Sequence, residues 1–148
     1  MAMSDVSIAE EKGMLVVRVP YYPKFPPHAR MLGGRWLAGQ RVWAFDVRDR
    51  DRVIGLLSEI FGYGDTEFAD VEFPISDEVQ SGVSSIWKFG RELVCRINRD
   101  SQPVLGRGVT LLSGGFERSG GSRNNIRIAA VEGTVLLVRD VPKSLVVE

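Results

Sequence analysis

The stretch from Gly33 to Phe45 reads Gly-Gly-Arg-Trp-Leu-Ala-Gly-Gln-Arg-Val-Trp-Ala-Phe, two short aromatic-bearing runs on either side of a small polar turn. Such an order specifies a β-hairpin. Trp36 ends the first arm; Trp43 and Phe45 fall two apart on the second, so in a strand their rings project from one face. Rings that large must be covered by a core or used as a surface, and Arg35 and Arg41 flank the turn. Flat rings between guanidinium groups suit either a core with a solvated edge or a platform that stacks bases and contacts phosphates.

A core of the required size is available. Of 148 residues, 44% are hydrophobic and 26% charged, the profile of a soluble globular chain with room for one ordinary domain or two small ones. No apolar run approaches the roughly 20 residues of a membrane helix, and the N-terminus lacks the basic-then-apolar order of a signal peptide. A cytoplasmic protein without a membrane partner is the expectation. The single cysteine and single histidine allow neither an intramolecular disulfide nor a cluster with zinc spacing, so no metal or cofactor is expected. Cys95, within Leu93–Ile97, reads as a small buried hydrophobe.

Net charge is zero but unevenly distributed. Residues 18–52 carry eight Arg or Lys against three Asp, residues 53–78 carry seven acids and no base, and residues 88–127 carry eight bases against three acids. Two basic regions bracket an acidic one. Beyond about 8–10 Å the distant acids are screened at physiological salt, so a local basic patch can attract a polyanion despite a neutral total. A solvated surface without a ligand is the competing reading.

In chain order, residues 1–13 are small, polar and acidic and are expected to form a flexible arm. Met14–Val19 is β-branched and apolar between Gly13 and Pro20, a strand with a sharp stop. The prolines of Tyr21–Pro27 forbid a helix interior, and a short helix over 28–33 is expected to begin after Pro27 and end at Gly33-Gly34. After the hairpin, apolar residues at 53, 56, 57, 60 and 61 have helical spacing, with Asp49 at the start and Gly62 at the end. The first module is therefore a small three-stranded sheet with a covering helix, burying Val17, Trp36, Trp43, Leu56 and Phe61.

The succession of strand, Tyr-Pro segment, Gly34-Arg35-Trp36, turn, Arg41-Val42-Trp43-Ala44-Phe45 and amphipathic helix ending in Phe61-Gly62 resembles the HARP domain of annealing helicases. The likeness covers residues 14–62. It implies a compact α+β module that recognises forked or single-stranded DNA and has no catalytic residues, with Gly34, Arg35, Trp36, Arg41, Trp43 and Phe45 as the matching positions. The chain has no helicase motor and no Walker A phosphate loop.

Residues 63–82 form an acidic connector in which Asp70–Ile75 alternates acid with apolar and reads as an edge strand closed by Pro74. From 83 to 148 the signals are almost all β: 86–89, 92–97, 108–112, 125–131 and 134–139, separated by turn residues, with Glu132-Gly133 as a tight turn. The fold class expected overall is α+β, the second part being mostly antiparallel, either a small sheet or a partly open barrel. Its loop Ser113–Asn125 is rich in Gly, Ser and Arg. It reads either as a long mobile hairpin loop or as a phosphate-binding segment with Arg118 and Arg123 as cations and Phe116 as a stacking ring. Arg96 and Arg99 extend that surface or solubilise it.

The function these features favour is noncatalytic binding of single-stranded, forked or junction DNA, with RNA as an alternative ligand, by an accessory protein of replication, repair or recombination. Arg35, Trp36, Arg41, Trp43, Arg96, Arg99, Phe116, Arg118 and Arg123 are the candidate binding residues. Of the two hairpin tryptophans, one is expected to stack and the other to belong to the core, because burying both removes the platform. A protein-interaction adaptor, in which the hairpin is wholly core and exposed β edges or the acidic 65–78 stretch meet a protein partner, is the alternative. A metal-dependent nuclease ranks third, since chemistry would rest on carboxylates alone without a His/Cys pair or a Gly-x-Ser-x-Gly nucleophile motif.

Overall fold

The computed structural model describes residues 5–75 and 83–146; Asp77 and Glu78 of the acidic connector lie outside the described residues. The chain is α+β with antiparallel sheets, and it groups into two compact units. One holds the residues up to Phe68 together with those from Pro142 onward, and the other holds Ala69–Val141. The boundaries read from sequence place the modules in series, whereas these units are nested.

The first unit is built on strands β1 (Ser7–Glu11), β2 (Met14–Arg18), β3 (Arg35–Leu37) and β4 (Val42–Asp46) in the order β1-β2-β4-β3. β1 is a correction, because these residues were expected in a flexible arm and the sheet was expected to have three strands. Its pairing with β2 runs from Ser7 opposite Arg18 to Glu11 opposite Met14, and the two-residue turn between them has positive φ at both Lys12 (51°) and Gly13 (80°). That is the turn geometry matching the twist of a hairpin. A Ser-Ile-Ala-Glu-Glu edge strand has little apolar surface to bury, so its sequence carries no period that announces it.

Helix α1 (Phe25–Met31) starts three residues earlier than 28, with Pro26 in its first turn. The expectation that the helix follows Pro27 fails for a simple reason: N–H groups in the first turn have no intrahelical acceptor, so prolines lose nothing there. Helix α2 (Arg50–Phe61) follows a single 3-10 turn at Val47–Asp49, capped where Arg48 N–H donates to Asp46 Oδ1 at 3.0 Å. Val53, Leu57 and Phe61 are its buried residues, four apart and so on one stripe. Gly62 ends it in the left-handed region at φ 70°, and a side chain there would also strike Pro142. Pro142 precedes helix α3 (Lys143–Val146), whose first residue donates its N–H to Glu67 O at 2.9 Å, while Ser144 N–H donates to Asp65 Oδ2 at 2.8 Å.

Leu15, Val17, Trp43 and Phe45 share one sheet face by register and are all buried. The rings of Phe25 and Trp43 meet edge to face at 5.9 Å and those of Tyr22 and Phe61 at 5.8 Å, while Phe25 and Phe61 are tilted at 47° with centroids 5.6 Å apart. Edge-to-face pairs at this separation stabilise beyond their buried area, by about 0.5–1.5 kcal/mol each.

Among its described residues the second unit contains two three-stranded open sheets and a two-stranded hairpin. In one, β5 (Phe68–Pro74) and β9 (Val109–Ser113) flank β12 (Val135–Pro142); in the other, β6 (Ser85–Lys88), β7 (Arg91–Cys95) and β8 (Val104–Leu105) form a meander. The edge strand expected over 70–75 is β5, at one edge of its sheet. Arg91, at the head of β7, donates to the carbonyls of Arg139 at 2.8 Å and Asp140 at 2.7 Å. Burial lowers the guanidinium pKa from its ordinary value, and Asp140 opposes that shift. The strand expected over 125–131 is reduced to β11 (Asn125–Ile126), which pairs with β10 (Gly121–Ser122) in a minimal hairpin. Ala129 has φ 55°, which breaks an extended strand, and Ile128 donates its N–H to Val83 O while its carbonyl accepts from Arg96 Nη2. Cys95 is half-buried.

Candidate nucleic-acid interface

In the hairpin of the first unit, Trp36 stands opposite Trp43, and their ring centroids are 5.5 Å apart at a tilt of 56°. Trp43 is buried and Trp36 is 48% exposed. One ring is thus core and the other is half-exposed and rests against it. Arg35 precedes Trp36 on the strand and so projects from the opposite face; it is exposed, in register with Ala44. Arg41 is exposed at the end of the Ala38–Arg41 turn, with φ 57°, and donates its N–H to Leu37 O at 2.8 Å.

The guanidinium that shares space with the rings is a third one, Arg30 of α1, whose Cζ lies 5.7 Å from the Trp43 ring centroid. Together with Tyr21, Tyr22, Pro20 and Pro26, it and the two tryptophans border a cleft of about 370 Å³. Neither Arg35 nor Arg41 lines it. Tyr21 is 69% exposed at its mouth. No family model, no curated protein and no solved structure matches this chain. The cleft is therefore read from its own chemistry: aromatic faces, proline walls and one cation.

Sequence reasoning missed Tyr21 and Arg30. The available signals were a Tyr-Tyr pair held by neighbouring prolines, and an arginine on a helix too short to have a hydrophobic period. Neither signal identifies a cleft until α1 is laid on the sheet.

In the second unit, the candidate residues separate. Arg96 is 1% exposed and is not a surface cation. Its Nη1 donates to the carbonyls of Arg99 and Ser101, both at 3.0 Å, and its Nη2 to those of Glu117 at 2.9 Å and Ile128 at 3.0 Å. Nε faces Gly120 and finds no acceptor among the described residues. The expectation that Arg96 contacts a ligand is corrected: all four of its bonds go to the backbone, which fixes the segments on either side of the glycine-rich loop. A side chain at 120 would lie 2.6 Å from Nε and strike Arg127 O, so glycine is required for the guanidinium to fit.

The loop is held at its base as well. Glu117 N–H donates to Ala129 O and Val131 N–H to Gly115 O, both at 2.9 Å, and the buried Thr134 hydroxyl donates to Val131 O at 2.6 Å while accepting from Gly115 N–H at 3.1 Å. Phe116 is half-buried and its backbone bridges Ala130, so its ring belongs partly to this base. Arg118 and Arg123 are exposed, Arg123 at the tip between β10 and β11; Arg99 is exposed too, 3.5 Å from Asp100. Among the described residues no three His, Cys, Asp or Glu side chains are grouped to hold a metal, and no helix is long and apolar enough to cross a membrane.

Proposed function

We propose that this chain is a noncatalytic DNA-binding protein selective for single-stranded or forked DNA, with residues 14–62 acting as a HARP-like module and the whole serving as an accessory factor in replication, repair or recombination. The observation that carries this reading is the half-exposed Trp36 resting on the buried Trp43. A ring fixed in that way is a stacking platform, worth about 1–3 kcal/mol per base. Arg41 supports it. It is an exposed cation on the tip of the same hairpin, and its left-handed backbone costs roughly 1–2 kcal/mol relative to glycine.

Anisotropy titration of labelled single-stranded, duplex and forked DNA at two salt concentrations tests the reading. Single-stranded and forked DNA are expected to bind more tightly than duplex, with affinity falling as salt rises by a logarithmic slope of about 0.7 per phosphate neutralised on a single strand. Arg41→Gly is expected to keep or raise stability, by up to about 1 kcal/mol, while lowering that slope by roughly one contact. Absence of salt-sensitive binding to all three DNAs ends the reading. An RNA strand in the same titration decides between the two nucleic acids.

A protein-interaction adaptor is favoured by a different observation: β9 ends its sheet and exposes Leu111 and Leu112 by 41% and 48%. An apolar edge strand can be extended by a partner's strand. Under that reading Arg35→Ala and Arg41→Ala leave function intact, whereas Leu111→Lys abolishes partner capture in a pull-down.

A further inference from the structure

We infer that the cleft between α1 and the hairpin takes one unpaired nucleobase, stacked on Trp36 and held at its acceptor edge or adjoining phosphate by Arg30. This deepens the DNA-binding reading above and rests on it. The cleft is at the small end of the range for ligand pockets, suited to a single planar group with its sugar. Five aromatic residues line it, and it is already open without a ligand between the rigid prolines at 20 and 26 and the buried Phe25 of α1, which lowers the ordering penalty of binding.

Charge then selects among flat or rigid occupants. An aromatic cleft without a cation suits an alkylammonium group, but Arg30 over Trp43 repels one. Among the described residues no Asp or Glu lines the cleft, so the basic residues that commonly accompany proline-rich peptides find no counter-charge there. A nucleobase satisfies both features, since its face stacks on indole and its ring nitrogen, carbonyl oxygen or phosphate accepts from a guanidinium. In a duplex both faces of each base are covered by neighbours, so only an unpaired or terminal base can enter. The preference for single strands and forks then follows from geometry as well as charge.

The test uses the full chain and two labelled strands of equal length, about 12 nucleotides, one of deoxythymidine and one of abasic residues on the same phosphodiester backbone. The wild type is expected to bind the base-bearing strand about tenfold more tightly. Trp36→Ala and Arg30→Met should reduce that preference to less than about twofold, while Trp36→Phe, which keeps a ring, retains most of it. Equal binding of the two strands by the wild type overturns the inference and leaves the DNA-binding reading standing. Binding of neither strand overturns both. Displacement of the deoxythymidine strand by an oligoproline peptide assigns the cleft to peptides and overturns the inference as well.

Discussion

Replacing Arg96 by alanine is expected to destabilise the unit spanning 69–141 by about 3 kcal/mol or more. Hydrogen bonds from a charged donor contribute about 1.5–3 kcal/mol each, and leaving buried acceptors without donors adds a desolvation penalty. Arg96 serves four carbonyls on three separate segments: 99–101, 117 and 128. Arg96→Lys should recover only part of the loss, because an ammonium is a point donor and cannot span carbonyls on opposite sides as a planar fork does. Unfolding of a two-unit chain need not be two-state, so the measurement is amide hydrogen exchange resolved by segment. Protection should fall across residues 113–131 in Arg96→Ala; unchanged protection there would falsify the structural role assigned to this arginine.

The second large effect is at Trp43. Trp43→Ala should destabilise the first unit by about 3–5 kcal/mol, the range for deleting a large buried ring, because Phe25, Trp36 and Arg30 all rest against it. Trp36→Ala should act differently. Half the side chain is already in water, so its stability loss is expected to stay near 1 kcal/mol, the typical value for a point substitution, while strand affinity falls about tenfold. Thermal melts and anisotropy on the two variants separate the roles. Equal losses of stability in both would show that neither ring is a platform.

The hairpin was legible because large aromatic residues at alternate positions leave few alternatives, and α2 because its apolar residues repeat four apart. Elements without an apolar signature were not. β1 is held by backbone pairing and a Lys12-Gly13 turn, which composition does not reveal, and α1 starts inside a proline cluster that looks hostile to helices. Burial of single charged residues was equally hidden. Arg96 and Arg99 look alike in sequence, yet one is sealed among carbonyls and the other is exposed. The identity of the exposed tryptophan could be posed as an alternative but not decided, since Trp36 and Trp43 differ only in that β4 is an inner strand and β3 an edge. Arg35 was given a place beside Trp36 by adjacency, and strand alternation sends it to the other face.

The chain leaves the first unit at Phe68 and re-enters it at Pro142, with Lys143 N–H bonded to Glu67 O. At the other side of that boundary, Asp140 N–H donates to Asp70 Oδ1 and Ile75 N–H to Thr134 O, so the entering and leaving strands run side by side in opposite directions. On the ribosome this makes the order of events one-way. Residues through α2 emerge first, but the surface that receives Pro142 and Leu145 waits for the 73 residues from 69 to 141, roughly 4–15 s at ordinary elongation rates. The first unit therefore has all of its residues only after the whole of 69–141 has been made, however early its leading part is synthesised.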